Sequence, residues 1–132
     1  MKGSSCFYIQ REQTLQVDQL IYQHSPPITL ESGVVLPSFH LQYTTYGKLH
    51  ENKDNVVWVF HALTASSEAA DWWPGLVGEG KIFDPENYFI ICVNMPGSHY
   101  GSTCPLDTDP QTGLPYYHDF PLFTLRDMIG TY

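Results

Sequence analysis

The chain has 132 residues and a net charge of −8, with 14 acidic and 6 basic side chains. At 42% hydrophobic and 14% aromatic residues it can bury one core, and it is neither disordered nor fibrous. The six basic residues (Lys2, Arg11, Lys48, Lys53, Lys81, Arg126) are scattered, which excludes a surface that neutralises a run of phosphates and with it a nucleic-acid partner.

No apolar stretch approaches the roughly 20 residues of a membrane helix. Met1 to Cys6 lacks the apolar core of a signal peptide, so a cytoplasmic protein is expected. Cys6, Cys92 and Cys104 are widely spaced and form no CxxC pair, which argues against a zinc site or a disulfide framework. Cys92 lies inside an apolar run and reads as a small core residue.

Residues 1–29 form a poorly defined leader, with a short extended or loop-and-strand segment that breaks at Pro26-Pro27. Leu30 to Leu36 reads as a strand with a turn at Ser32-Gly33. Phe39, Leu41, Tyr43 and Thr45 alternate with His40, Gln42 and Thr44, the period-two pattern of a half-buried antiparallel strand. After Gly47 and a polar turn, Val56-Val57-Trp58-Val59-Phe60 is a continuous apolar run that predicts a fully buried strand following two outer ones. It stops on His61 and small or polar residues, as strands do where open α/β sheets place their sites.

Pro74 limits the segment after Ser66 to a short helical turn. Tyr88 to Asn94 is a second apolar run, and a crossover of about thirty residues between the two suits a parallel βαβ unit. Met95 to Phe123 is a long loop whose aromatic residues favour order. Thr124 followed by Asp127 predicts a capped helix start.

Several stretches then occur in a telling order: His61-Ala62-Leu63-Thr64-Ala65, Asp71-Trp72-Trp73, Val77 to Lys81, Tyr88 to Asn94, Gly101-Ser102-Thr103, Asp109 to Tyr116, Phe120-Pro121 and Thr124 to Met128. Each is weak alone. Together, from about Leu30 to Tyr132, they resemble the N-terminal part of homoserine O-acetyltransferase, a family with the α/β-hydrolase fold.

The resemblance implies one catalytic domain, cut within residues 1–132 before its nucleophile elbow, with antiparallel outer strands leading into a parallel sheet. It implies acetyl transfer from acetyl-CoA to L-homoserine through an acyl-serine, in methionine biosynthesis. Acetyl-CoA would be a co-substrate and no cofactor would be bound. Full-length members would be homodimers. By position in the motif, the backbone N–H groups of Leu63 and Thr64 are the implied oxyanion donors. No G-x-S-x-G pentapeptide occurs, so the nucleophile, acid and base are expected downstream and this chain alone should be inactive. Ala65 and Cys104 stand where the family usually has Gly. Alternatives are a homoserine O-succinyltransferase, a serine O-acyltransferase of the same fold, and a non-catalytic remnant or interaction module.

Other readings compete residue by residue. His61 beside Ser66 and Ser67 could be a base, but neighbours on one turn rarely align as a triad does, and a structural role is favoured. His99 and His118 with Asp107, Asp109 and Asp119 match no metal spacing and read as solvated loop residues. Nothing beside Cys104 would activate it as a nucleophile. Trp72 and Trp73 could line a channel or fill the core. His61, Asn94, Gly101 and Ser102 could line a pocket, or the last three could simply satisfy turn backbone.

Overall fold

The computed structural model describes residues 16–132; residues 1–15, including the first half of the expected leader, lie outside that range. A four-stranded mixed sheet dominates. Its strands are β1 (Val17–His24), β4 (Phe39–Tyr46), β6 (Phe89–Val93) and β5 (Val56–Val59), side by side in that order. β1–β4 and β4–β6 are antiparallel and β5–β6 is parallel, as the two apolar runs and their long connection predicted. A two-stranded hairpin, β2 (Ile28–Thr29) with β3 (Val35–Leu36), packs beside the sheet. The turn expected at Ser32-Gly33 is present, closed by a Gly33 N–H to Leu30 carbonyl bond of 2.8 Å, but the strand expected over Leu30–Leu36 is corrected: Leu30 to Val34 is the hairpin loop and only Val35–Leu36 is strand.

The strand over Val56–Val59 is also corrected. It is not fully buried but forms an edge of the sheet among the described residues, while β4, expected as an outer strand, lies inside. Val57 and Val59 face a core of Tyr46, Ala69, Val77, Ile90 and Cys92, whereas Val56, Trp58 and Phe60 point to the other face and are 47%, 38% and 59% exposed. That second face carries Leu36, Phe39, Leu41 and Val93, with Phe123 and Tyr132 packed on them. Tyr132 also reaches Trp58 and Phe60, at ring separations of 5.6 and 5.9 Å.

β4 keeps the predicted alternation at its start only. From Thr44 to Tyr46 every residue is buried, because the segment around Ser67 covers the face that the pattern leaves polar. The crossover from β5 to β6 holds one helical turn, α1 (Ala69–Trp72), before Pro74, as expected.

α2 (Leu125–Gly130) begins with the predicted capping box: Thr124 accepts from the Asp127 N–H, and Asp127 accepts from the Thr124 N–H. The same box ties α2 to the hairpin, since the Glu31 N–H donates to Asp127 and Glu31 pairs with Arg126. These bonds, led by the one from the Thr124 backbone, hold the Asp127 carboxyl below its ordinary value of 3.8. A depressed carboxyl stabilises the fold above its unfolded pKa and loses that contribution as pH falls through the folded one. Docking of α2 is therefore expected to loosen only below pH 3.8, and Thr124→Ala to cost about 1 kcal/mol at neutral pH. Amide exchange of residues 125–130 across a pH series measures both.

Candidate oxyanion turn and its supports

The site is built at the carboxyl ends of the two parallel strands. β5 leads through Phe60 to His61, which is 6% exposed and uses both ring nitrogens. The Met95 N–H, just past β6, donates to Nε2 at 3.1 Å, so that nitrogen is unprotonated. Nδ1 must then carry the hydrogen it gives to the Ala62 carbonyl at 2.8 Å. His61 is thus a neutral bolt between the two strand exits. It makes no hydrogen bond to Ser66 or Ser67, and with both nitrogens committed it has no lone pair for a substrate proton.

Ala62 to Ala65 is a tight turn closed by one bond, Ala65 N–H to the Ala62 carbonyl at 2.9 Å. Leu63 and Thr64 form its apex. The Leu63 side chain is 96% exposed, and among the described residues neither the Leu63 nor the Thr64 N–H is bonded to an acceptor. Two adjacent backbone donors, held by the fold and open to an incoming group, can stabilise an oxygen on which negative charge develops.

Behind the turn sits a buried polar knot. Ser67 Oγ meets Thr44 Oγ1 at 2.8 Å. The Asn94 side-chain amide donates to the Tyr100 carbonyl at 2.7 Å and to Gln42 Oε1, with Ser67 Oγ at 3.5 Å. The Tyr100 carbonyl, which can only accept, fixes which end of the Asn94 amide faces it. Ser102 Oγ donates to the Asn94 carbonyl at 2.8 Å and accepts from the Gln42 N–H at 3.1 Å. The loop after β6 is thereby laid along β4. Gly101 permits this at φ +93°, where a Cβ would stand 3.1 Å from that of Gln42.

An open cleft of about 370 Å³ is lined by Gly101, Tyr100, Gln42, Ser66, Ser67 and Glu68, with β1 closing its far side. Of the four residues considered for a pocket, Gly101 lies on this cleft, while His61, Asn94 and Ser102 are buried in the bonds just described. The sequence pointed to Asn94 and His61 because each ends an apolar run. It gave no sign of Thr44, Gln42 or their bonds to Ser67, Asn94 and Ser102, whose sequence separations run from 23 to 60 residues.

Other candidates fall into place. Burial pushes the Cys92 thiol up to about 12, so it is an inert core residue. Cys104 is buried too. Asp107 and Asp109 fold their own turns, accepting from the Cys104 and Gln111 N–H groups. Trp72 is half-buried against the core and stacks on the exposed Trp73 at 5.3 Å.

No family model matches the chain. A homoserine O-acetyltransferase of Cyclobacterium marinum is 51% identical over 115 residues, 87% of this chain and 33% of the relative. One of Saccharomyces cerevisiae is 50% identical over 102 residues, covering 77% and 21%. The crystal structure of the homoserine O-acetyltransferase from Bacillus anthracis superposes with a TM-score of 0.76 at 31% identity, covering 87% of this chain and 35% of that one. The chain is homologous to the N-terminal part of homoserine O-acetyltransferases. It spans about a third of the length of the Cyclobacterium relative, and its fold is the corresponding part of the α/β-hydrolase fold. A crystallised esterase is similarly close, with a TM-score of 0.75 at 26% identity over 88% of this chain. Among the described residues no helix is long and apolar enough to cross a membrane.

Proposed function

We propose that residues 1–132 are the N-terminal portion of one catalytic domain that moves an acetyl group from acetyl-CoA to the hydroxyl of L-homoserine, in cytoplasmic methionine biosynthesis. The observation that supports this most is the pair of N–H groups at Leu63 and Thr64, bonded to no acceptor among the described residues, at the exit of a parallel strand and fixed from behind by His61. A serine oxygen from beyond Tyr132 attacks the thioester carbonyl, whose oxygen becomes anionic and takes these hydrogen bonds. The base, also expected beyond Tyr132, takes the serine proton and returns it to sulfur as the carbon–sulfur bond breaks, so that CoA leaves as the thiol. The homoserine hydroxyl attacks the resulting acyl-serine through the same charged intermediate, losing its proton to the base, which passes it to the serine oxygen as that is released. His61 supplies none of the proton transfers, because its nitrogens are already committed.

Thioester consumption and O-acetylhomoserine formation, followed side by side for the full reading frame and for residues 1–132, test the reading. Transfer is expected from the full reading frame and none from residues 1–132. Transfer by residues 1–132 would place the nucleophile here after all. A full-length protein that prefers succinyl-CoA, serine or water as reactant would overturn the substrate assignment while keeping the acyl-serine chemistry.

A further inference from the structure

The oxyanion turn has two ends, and only the first is accounted for by His61. Leu63 is almost wholly exposed, and a single hydrogen bond closes the turn. Its shape therefore depends on how the chain is held where it leaves, at Ser66 and Ser67. The Ser67 hydroxyl is fixed by Thr44 and Asn94, the Ser67 carbonyl accepts from the Ala69 N–H and the Ser66 hydroxyl from the Glu68 N–H, but none of these bonds grips the Ser66–Ser67 peptide itself.

The group of that peptide which is held, among the described residues, is the Ser66 carbonyl. The Trp72 indole Nε1–H donates to this oxygen at 2.8 Å, across six residues. The Cys92 sulfur is a weak second contact at 4.0 Å. The indole is a rigid donor with no acceptor capacity, so its direction is set by where its ring packs. That ring lies against the core cluster and stacks on Trp73 at 22°. The helical turn that carries it is anchored to the sheet, with Ala69 fully buried and the Ala70 N–H donating to Tyr46 Oη at 3.3 Å.

We infer that Trp72 is a positioning residue for the acyl transfer: its indole N–H clamps the Ser66 carbonyl and so holds the Leu63 and Thr64 N–H groups in the orientation that receives the oxyanion. This rests on the oxyanion reading of the turn. It assigns Trp72 neither to a channel wall nor to core filling alone.

The test uses the protein of the full reading frame with two substitutions. Trp72→Phe keeps an aromatic ring and removes the donor. Replacement of Trp72 by benzothienylalanine keeps the indole's shape and exchanges only the N–H for sulfur. Both are expected to raise amide exchange several-fold at Ala65, whose N–H closes the turn. Both should lower kcat about tenfold, the loss of one well-placed bond, with KM for homoserine moving less than about twofold and the thermal midpoint of the isosteric variant near that of the parent. Unchanged exchange in the isosteric variant would overturn the clamp and leave the oxyanion reading standing. A loosened turn with unchanged kcat would overturn the assignment of the turn to the oxyanion. A parallel loss of kcat and of thermal stability in the isosteric variant would reduce Trp72 to a core residue.

Discussion

Gly47→Ala is expected to be among the most damaging single substitutions in the described residues, costing about 3–5 kcal/mol of stability. Gly47 ends β4 at φ +77°, a conformation that an L side chain adopts only at a cost. An added Cβ would also stand 2.4 Å from both the Pro85 and the Tyr88 carbonyl oxygens, which are backbone and cannot swing aside. The strain and the clash add, because relieving the clash means moving the turn that feeds β6. Gly33 is the control: its φ is +84°, yet no atom lies within 4 Å of the added Cβ. Gly33→Ala should therefore cost only the conformational part, about 1–2 kcal/mol. Urea unfolding of the full-length protein separates the two, with a lower midpoint and an unchanged slope expected for Gly47→Ala. Similar costs at the two positions would mean that the Pro85–Tyr88 turn yields easily. Gly47 lies at the end of the sheet away from His61, so folded Gly47→Ala protein should keep the parent's kcat.

Features that depend on near neighbours in the chain are legible from the amino-acid sequence alone. The capping box at Thr124 and Asp127, the helical turn cut short by Pro74 and the alternation at the start of β4 each involve residues within a few positions of one another. What covers a surface is not local. The run Val56 to Phe60 looks the same whether both faces are buried or only that of Val57 and Val59, since an apolar run encodes strand propensity but not its neighbours. Thr44 is read as outward-facing from its period, and is buried because Ser67 folds over it from 23 residues away. The tautomer of His61 is decided by the Met95 N–H, 34 residues on, and could not be read from its own motif. The order of motifs supplied the family where spacing alone did not, because the proposed oxyanion donors are backbone groups that any residue type carries.

That last point makes the strongest functional prediction one about backbone atoms. Placing the α-hydroxy acid analogue of leucine at position 63 turns the Ala62–Leu63 amide into an ester and deletes one N–H, leaving the side chain intact. Loss of a single oxyanion donor is expected to lower kcat by about 10²–10³. The folded protein should scarcely register the change, because no acceptor among the described residues is bonded to this N–H. The ester does make the Ala62 carbonyl a poorer acceptor for Ala65 and His61, a cost of about 1 kcal/mol at most. Leu63→Ala provides the contrast. With the side chain 96% exposed, its removal should leave the rate within about twofold of the parent. The same ester at Thr64 decides which apex donor carries the charge: a large loss at one position and a small one at the other assigns it. Equal losses mean that both N–H groups point at the oxygen. If neither ester slows the transfer while both variants remain folded, the oxyanion lies elsewhere, and the bolt at His61 and the clamp at Trp72 hold a turn with no part in the chemistry.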